Sequence, residues 1–209
     1  MGDCCEDKSC AIEALQSRQR GTLLAVLWIN AVMFVAILAA GLLAQSTAVL
    51  SDSLDNLGDA LTYSLTLYAV SRNGHTKARV ALFKGVLILA AALFVLSQLA
   101  YKLLYPVMPV YETMSLASIA SLIANGICLA LLWKHRSDDV NMTSVWECSR
   151  NDIASNLSVL FAAGGVWVTG AAWPDLVVGG LLALLFLRSA LRVLRSTWSA
   201  LAAQPAHQH

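Results

Sequence analysis

Charge is what this chain has least of. Only 13% of its 209 residues are Asp, Glu, Lys or Arg, against about 25% in an ordinary soluble domain. At the same time 58% are hydrophobic, and the mean hydropathy is +0.66. These values exclude a water-soluble globule and define an integral membrane protein. An excess of either sign is also lacking: the net charge is +1, and the basic residues lie between apolar runs instead of in a patch. That distribution argues against a nucleic-acid partner. No secretory leader precedes the first apolar run, because residues 1–20 are polar and carry Asp3, Glu6, Asp7, Lys8, Glu13, Arg18 and Arg20, so this segment is expected to persist in the mature chain. The five cysteines are an odd number, four of them (Cys4, Cys5, Cys10, Cys148) at cytosolic or intramembrane positions and Cys128 in an apolar run; disulfides are not expected.

What the chain does have is apolar runs. About 20 apolar residues cross a bilayer core as a helix, and six stretches qualify, at 21–44, 46–71, 78–104, 113–134, 141–170 and 174–199. Breakers separate them, among them Gly74 and His75, Pro106 and Pro109, Asp138 and Asp139, and Gly170 with Pro174. The expected fold is all-α and polytopic, with an amino-terminal tail at 1–20, a six-helix transmembrane domain at 21–199 and a short tail at 200–209. Lys8, Arg18, Arg20, Arg72, Lys77, Arg79, Lys134, Arg136, Arg192 and Arg195 fall on one side, and only Lys102 on the other. The positive-inside rule therefore places both termini in the cytoplasm.

Within the second run lies a concentration of acid, Ser51-Asp52-Ser53-Leu54-Asp55-Asn56-Leu57-Gly58-Asp59. On a helix, Asp52, Asp55, Asn56 and Asp59 share a stripe roughly 100° wide. A charged residue at bilayer depth costs about 3 kcal/mol even on the mildest insertion scale, so three together require a metal, protons or a wet cavity. The fifth run answers it with Cys148, Asp152 and Asn156, spaced four apart. Cys148 and Asp152 stand one turn apart, as a chelate requires, in a helix running opposite to the one that holds Asp55 and Asp59. The two pairs can meet at one depth. One thiolate and three carboxylates satisfy tetrahedral Zn²⁺, and the thiolate disfavours Mg²⁺ and Ca²⁺. The competing reading of Cys148, a small buried hydrophobe, suits a lone cysteine better than one beside an intramembrane acid.

Other polar residues have plainer readings. Asn30 and Asn125 are interhelical hydrogen-bonding groups, Lys84 snorkels from near the cytoplasmic end, Glu147 pairs with Arg150, and Trp146 is an interface anchor. In the tail, Cys4, Cys5 and Cys10 with three acids suit a soft metal ion, but match no closed zinc module; a disordered tail with incidental thiols is the alternative.

Six spans, paired ligands four apart on spans two and five, the continuation Asp152-x-x-x-Asn156, and Gly74-His75-Thr76-Lys77 in a cytoplasmic loop together resemble the cation diffusion facilitators over about residues 20–200. The resemblance implies a transport site of Asp55, Asp59, Cys148 and Asp152, with Asp52 just outside it. It further implies exchange of cytoplasmic Zn²⁺, Cd²⁺ or a similar ion for protons, a homodimer in the cytoplasmic (inner) membrane, and no enzymatic cofactor. His75 matches a loop position that can join an auxiliary site, as Asp52, Cys4, Cys5 and Cys10 also can, although the acids that neighbour such a histidine are absent here. Two departures stand out: Cys148 replaces the usual histidine, which points to softer ions, and the carboxy-terminal cytoplasmic domain is expected to be missing. Two other functions compete with transport. An intramembrane aspartyl protease would use two of the aspartates as a dyad, but Gly58-Asp59 lacks the fuller context of that class; a membrane metal sensor or chaperone would use the cysteine tail.

Overall fold

The computed structural model describes the backbone of residues 3–69, 74–133 and 142–203, and the side chains of residues 21–65, 67–68, 82–132 and 152–195. Its regular structure is six helices: α1 (Asp3–Leu43), α2 (Thr47–Ala69), α3 (Gly74–Leu104), α4 (Tyr111–Trp133), α5 (Met142–Thr169) and α6 (Trp173–Ala203). Each expected span corresponds to one helix, and apart from the start of α1 the ends differ by a few residues. The largest difference is in α1, which starts at Asp3, so the backbone of the amino-terminal segment continues the first span instead of forming a separate disordered tail.

Five of the described helices contain a stretch long and apolar enough to cross a membrane: Gly21–Leu43, Leu82–Leu104, Tyr111–Leu132, Asp152–Thr169 and Trp173–Arg195. The helix outside this group is α2. Its 23 residues span about 35 Å at 1.5 Å per residue, enough for a core of about 30 Å, so its three aspartates and not its length set it apart. Packing explains how such a helix is tolerated. α2 touches every one of the other five helices, with α1, α4 and α5 on one flank and α3 and α6, which pack extensively on each other, on another. Surrounded in this way, α2 meets protein where the outer helices meet lipid. Those outer helices turn Trp28, Leu116, Phe161 and Trp167 outward, the apolar belt that a bilayer requires.

Three apolar clusters hold the bundle. One gathers Ile37, Val49, Met114, Ala117, Val159 and Val166 at the end where α1 turns into α2; a second joins Leu23, Val26, Tyr63, Cys128 and Leu132 toward the opposite end; a third packs Leu50 and Leu54 against Ala92, Val95 and Ala183. The connections 44–46, 105–110 and 170–172 converge on the first end. Gln45 turns the chain there with a φ of 50°, its side-chain Nε2 donating to the Leu42 carbonyl at 3.1 Å, and Val110 N donates to the Ala44 carbonyl at 2.9 Å.

A close approach of α6 to α2 occurs at Gly179. A β-carbon there would lie 2.6 Å from the Ala48 backbone nitrogen, and the Ser51 hydroxyl donates to the Gly179 carbonyl at 2.7 Å. Gly179→Ala must therefore push α2 away from α6, at a cost of about 1–3 kcal/mol. Gly58 has nothing within 4 Å of the same imaginary atom, so Gly58→Ala should be neutral or stabilising by up to about 1 kcal/mol. Thermal unfolding of the two variants in detergent checks this: a lowered midpoint is expected for Gly179→Ala alone, and equal midpoints would contradict the tight α2–α6 contact.

Candidate metal centre

Asp52, Asn56, Asp59 and Tyr63 follow one another at helical spacing along α2, and this stripe meets α4 at both ends. Near its start the Ser121 hydroxyl donates to Asp52 Oδ2 at 3.0 Å; near its finish Tyr63 packs with Cys128 and Leu132. Asp52 is the most enclosed of the three α2 acids, with a relative exposure of 1%, whereas Asp55 and Asp59 are half-buried. On α5, Asp152 is half-buried as well; its charge reaches the Asp52 carboxylate, and the Ser155 hydroxyl lies beside that carboxylate. The α2 acid that feels the charge of Asp152 on span five is thus Asp52, the residue that the family resemblance leaves just outside the ligand set.

Several buried polar atoms on α2, α4 and α5 have no partner. Asp52 Oδ1, both amide atoms of Asn56 and of Asn156, the hydroxyls of Ser118 and Ser155, and Asn125 Nδ2 are all buried with no hydrogen bond. Each such group costs about 1–3 kcal/mol if it stays unsatisfied. The bonded polar residues differ from them. Asn30 Nδ2 donates to the Val26 carbonyl at 2.9 Å and to Cys128 Sγ at 3.7 Å, which is the interhelical role expected of it. Lys84, expected to snorkel, is buried, and its Nζ donates to Thr62 Oγ1 at 2.5 Å.

Among the described residues, no three His, Cys, Asp or Glu side chains stand close enough to hold a metal ion. The side chains of Cys148, His75, Cys4, Cys5 and Cys10, and of Trp146, Glu147 and Arg150, lie outside the described residues. Asp55, Asp59 and Asp152 each make an interaction of their own.

Two groups of residues went unread in the sequence. Ser118 and Ser121 stand on the face of α4 that carries Asn125, a Ser-x-x-Ser-x-x-x-Asn stripe that periodicity alone reveals. The second group is at the turn-bearing end, where Asp175, fully buried, accepts from Ser46 Oγ at 2.5 Å, Thr47 N at 2.7 Å and Ala48 N at 3.0 Å. This carboxylate from α6 thus caps the first turn of α2, where free N–H groups and the helix dipole favour an anion. Beside it, buried Lys102 donates to Thr47 Oγ1 at 3.2 Å. No local signal in the sequence links residues so far apart.

A six-helix bundle with an acid-bearing central helix is a polytopic membrane protein with polar groups enclosed among its spans. Residues 23–202 match the family model described as the cation efflux transmembrane domain, and the chain belongs to that family, the cation diffusion facilitators. Among curated proteins it is similar to the metal cation efflux system protein CzcD of Cupriavidus metallidurans, with 25% identity over 179 residues that cover 77% of this chain and 57% of that protein. It is likewise similar to the cation efflux system protein CzcD of Alcaligenes sp. strain CT14, with 24% identity over 179 residues, 80% of this chain and 57% of that protein. The match thus spans a little over half the length of these relatives.

Proposed function

We propose that the chain exports a divalent transition-metal ion, Zn²⁺ or Cd²⁺, from the cytoplasm in exchange for protons, through Asp55, Asp59, Cys148 and Asp152. The observation that carries this reading is the placement of α2: the family's acidic helix is enclosed by all five others, and its first acid is within electrostatic reach of Asp152. Helix geometry supports the rest of the set. α2 and α5 run in opposite directions, so from the level where Asp52 meets Asp152 and Ser155, each step along α2 toward Asp55 and Asp59 matches a step back along α5 toward position 148, both at 1.5 Å per residue. The basic residues between spans favour a cytoplasmic location for both termini, which makes the end holding Ser46 and Asp175 the outer one. The expected working unit is a homodimer in the cytoplasmic membrane. Cys4, Cys5 and Cys10, on the uptake side, serve as a tethered reservoir that raises local metal supply.

The metal preference is assigned to Cys148, because a thiolate favours Cd²⁺ more than an imidazole does. Cys148→His is expected to lower the ratio of Cd²⁺ to Zn²⁺ flux in membrane vesicles. An unchanged ratio with normal turnover would make Cys148 a packing residue.

A further inference from the structure

The transport reading leaves unused the buried oxygens around Asp52. Ser121 holds Oδ2 of this carboxylate, and Oδ1 accepts no well-formed hydrogen bond, although the Ser155 hydroxyl lies beside the group. One turn along α2 stands Asn56; beside Ser155 on α5, and one turn beyond Asp152, stands Asn156; one turn from Ser121 on α4 stands Ser118. Asn56 and Asn156 are each 1% exposed and Ser118 2%, and the polar side-chain atoms of all three are unpartnered, while the Ser155 hydroxyl lies beside the Asp52 carboxylate. Asparagines that serve as interhelical glue find a partner across the bundle, as Asn30 does at Cys128. Asn56 and Asn156 find none among the described residues, so gluing helices does not account for them.

The layer is closed by Val49, Met114, Ala117 and Val159 toward the turn-bearing end and by Tyr63, Cys128 and Leu132 toward the other. A polar layer with unmet bonds between two apolar ones needs a hydrated occupant. Its chemistry is specific. Among the described residues it offers carboxylate, amide and hydroxyl oxygens and one formal charge, with the field of Asp152 adding to the attraction for a cation. Oxygen sets of this kind suit a hard or partly hydrated divalent ion and hold soft ions less well than a thiolate site does.

We propose that Asp52, Asn56, Ser118, Ser155 and Asn156 form a second, all-oxygen cation station, separate from the thiolate-containing ligand set. Asp52 lies three residues nearer the Ser46 end than Asp55, about 4.5 Å along the axis. On the transport reading, on which this ordering rests, the ion leaves three carboxylates and a thiolate for a weaker, water-bearing site on its way out.

The test uses the full chain in lipid nanodiscs, with one equivalent of Cd²⁺ bound first and Mn²⁺ then titrated by electron paramagnetic resonance. Asp52→Asn keeps an acceptor for Ser121, and Asn156→Leu replaces an unbonded amide with a group of similar shape, so the two test the site by different routes. Both variants are expected to weaken Mn²⁺ binding at least about tenfold and to leave Cd²⁺ binding intact. Unchanged Mn²⁺ binding in either variant, or Cd²⁺ and Mn²⁺ binding lost together in a variant that unfolds at the normal temperature, would overturn the proposal. Asp55→Asn separates the two ideas: it should abolish tight Cd²⁺ binding, and Cd²⁺ retention there would refute the ligand set while the Mn²⁺ result still decides the oxygen station.

Discussion

Replacing Asp55, Asp59 or Asp152 singly by alanine is expected to lower metal flux more than about 100-fold in vesicles containing equal amounts of folded protein. Residues that merely orient a metal ligand cost about 10–100-fold when removed, and a direct ligand must exceed that, because an ion stripped of water cannot replace the missing oxygen inside an apolar wall. Asp52→Ala should leave a substantial part of the flux. It removes a charge beside the ligand set and an oxygen from the adjoining station, but none of the four ligands. Complete loss at Asp52 with activity kept at Asp55 would mean that the ion sits against the buried face of α2, one turn nearer Ser121.

A second large effect is expected at Asp175, through stability. Its carboxylate receives three hydrogen bonds from the first turn of α2 and neighbours the Lys102 ammonium. Asp175→Ala strands two backbone N–H groups, a hydroxyl and a buried lysine together. Breaking a buried charged arrangement from one side costs about 3–5 kcal/mol, a large share of the roughly 5–15 kcal/mol that holds a domain folded. Asp175→Asn keeps one acceptor oxygen. Ser46 Oγ and Ala48 N both bond to Oδ1, so this variant should retain two of the three bonds and fall between wild type and alanine. Thermal unfolding in detergent reads the order directly, and a wild-type midpoint for Asp175→Ala would show that the contacts at Gly179 and Ala183 hold α2 to α6 without it.

Much of the architecture was legible because hydropathy and breakers act locally. Pro106, Pro109, Gly170 and Pro174 bound the runs, and the helices α3 to α6 begin and end within a few residues of the expected places. Helical periodicity likewise picks out Asp55 with Asp59 and Cys148 with Asp152. It also puts Asp52 on the same stripe as Asp59, seven residues on; the family resemblance, not the spacing, leaves Asp52 outside the ligand set. The depth at which Asp52 meets Ser121 and approaches Ser155, across 69 and about 100 residues of chain, is set by how helices cross. No pattern within one helix contains it. The same holds for Asp175, whose partners lie 127–129 residues away. Read locally, it is one more acid in the first turn of a helix.

The central claim is that a divalent metal ion passes along the acidic face of α2 in exchange for protons. Everted membrane vesicles with an acidic interior test it most directly, with metal uptake and interior pH followed in the same sample. The account predicts Zn²⁺ or Cd²⁺ entering as the interior alkalinises, both signals vanishing in Asp59→Ala. Metal entry that ignores the pH gradient, or that persists unchanged in Asp59→Ala, would contradict it.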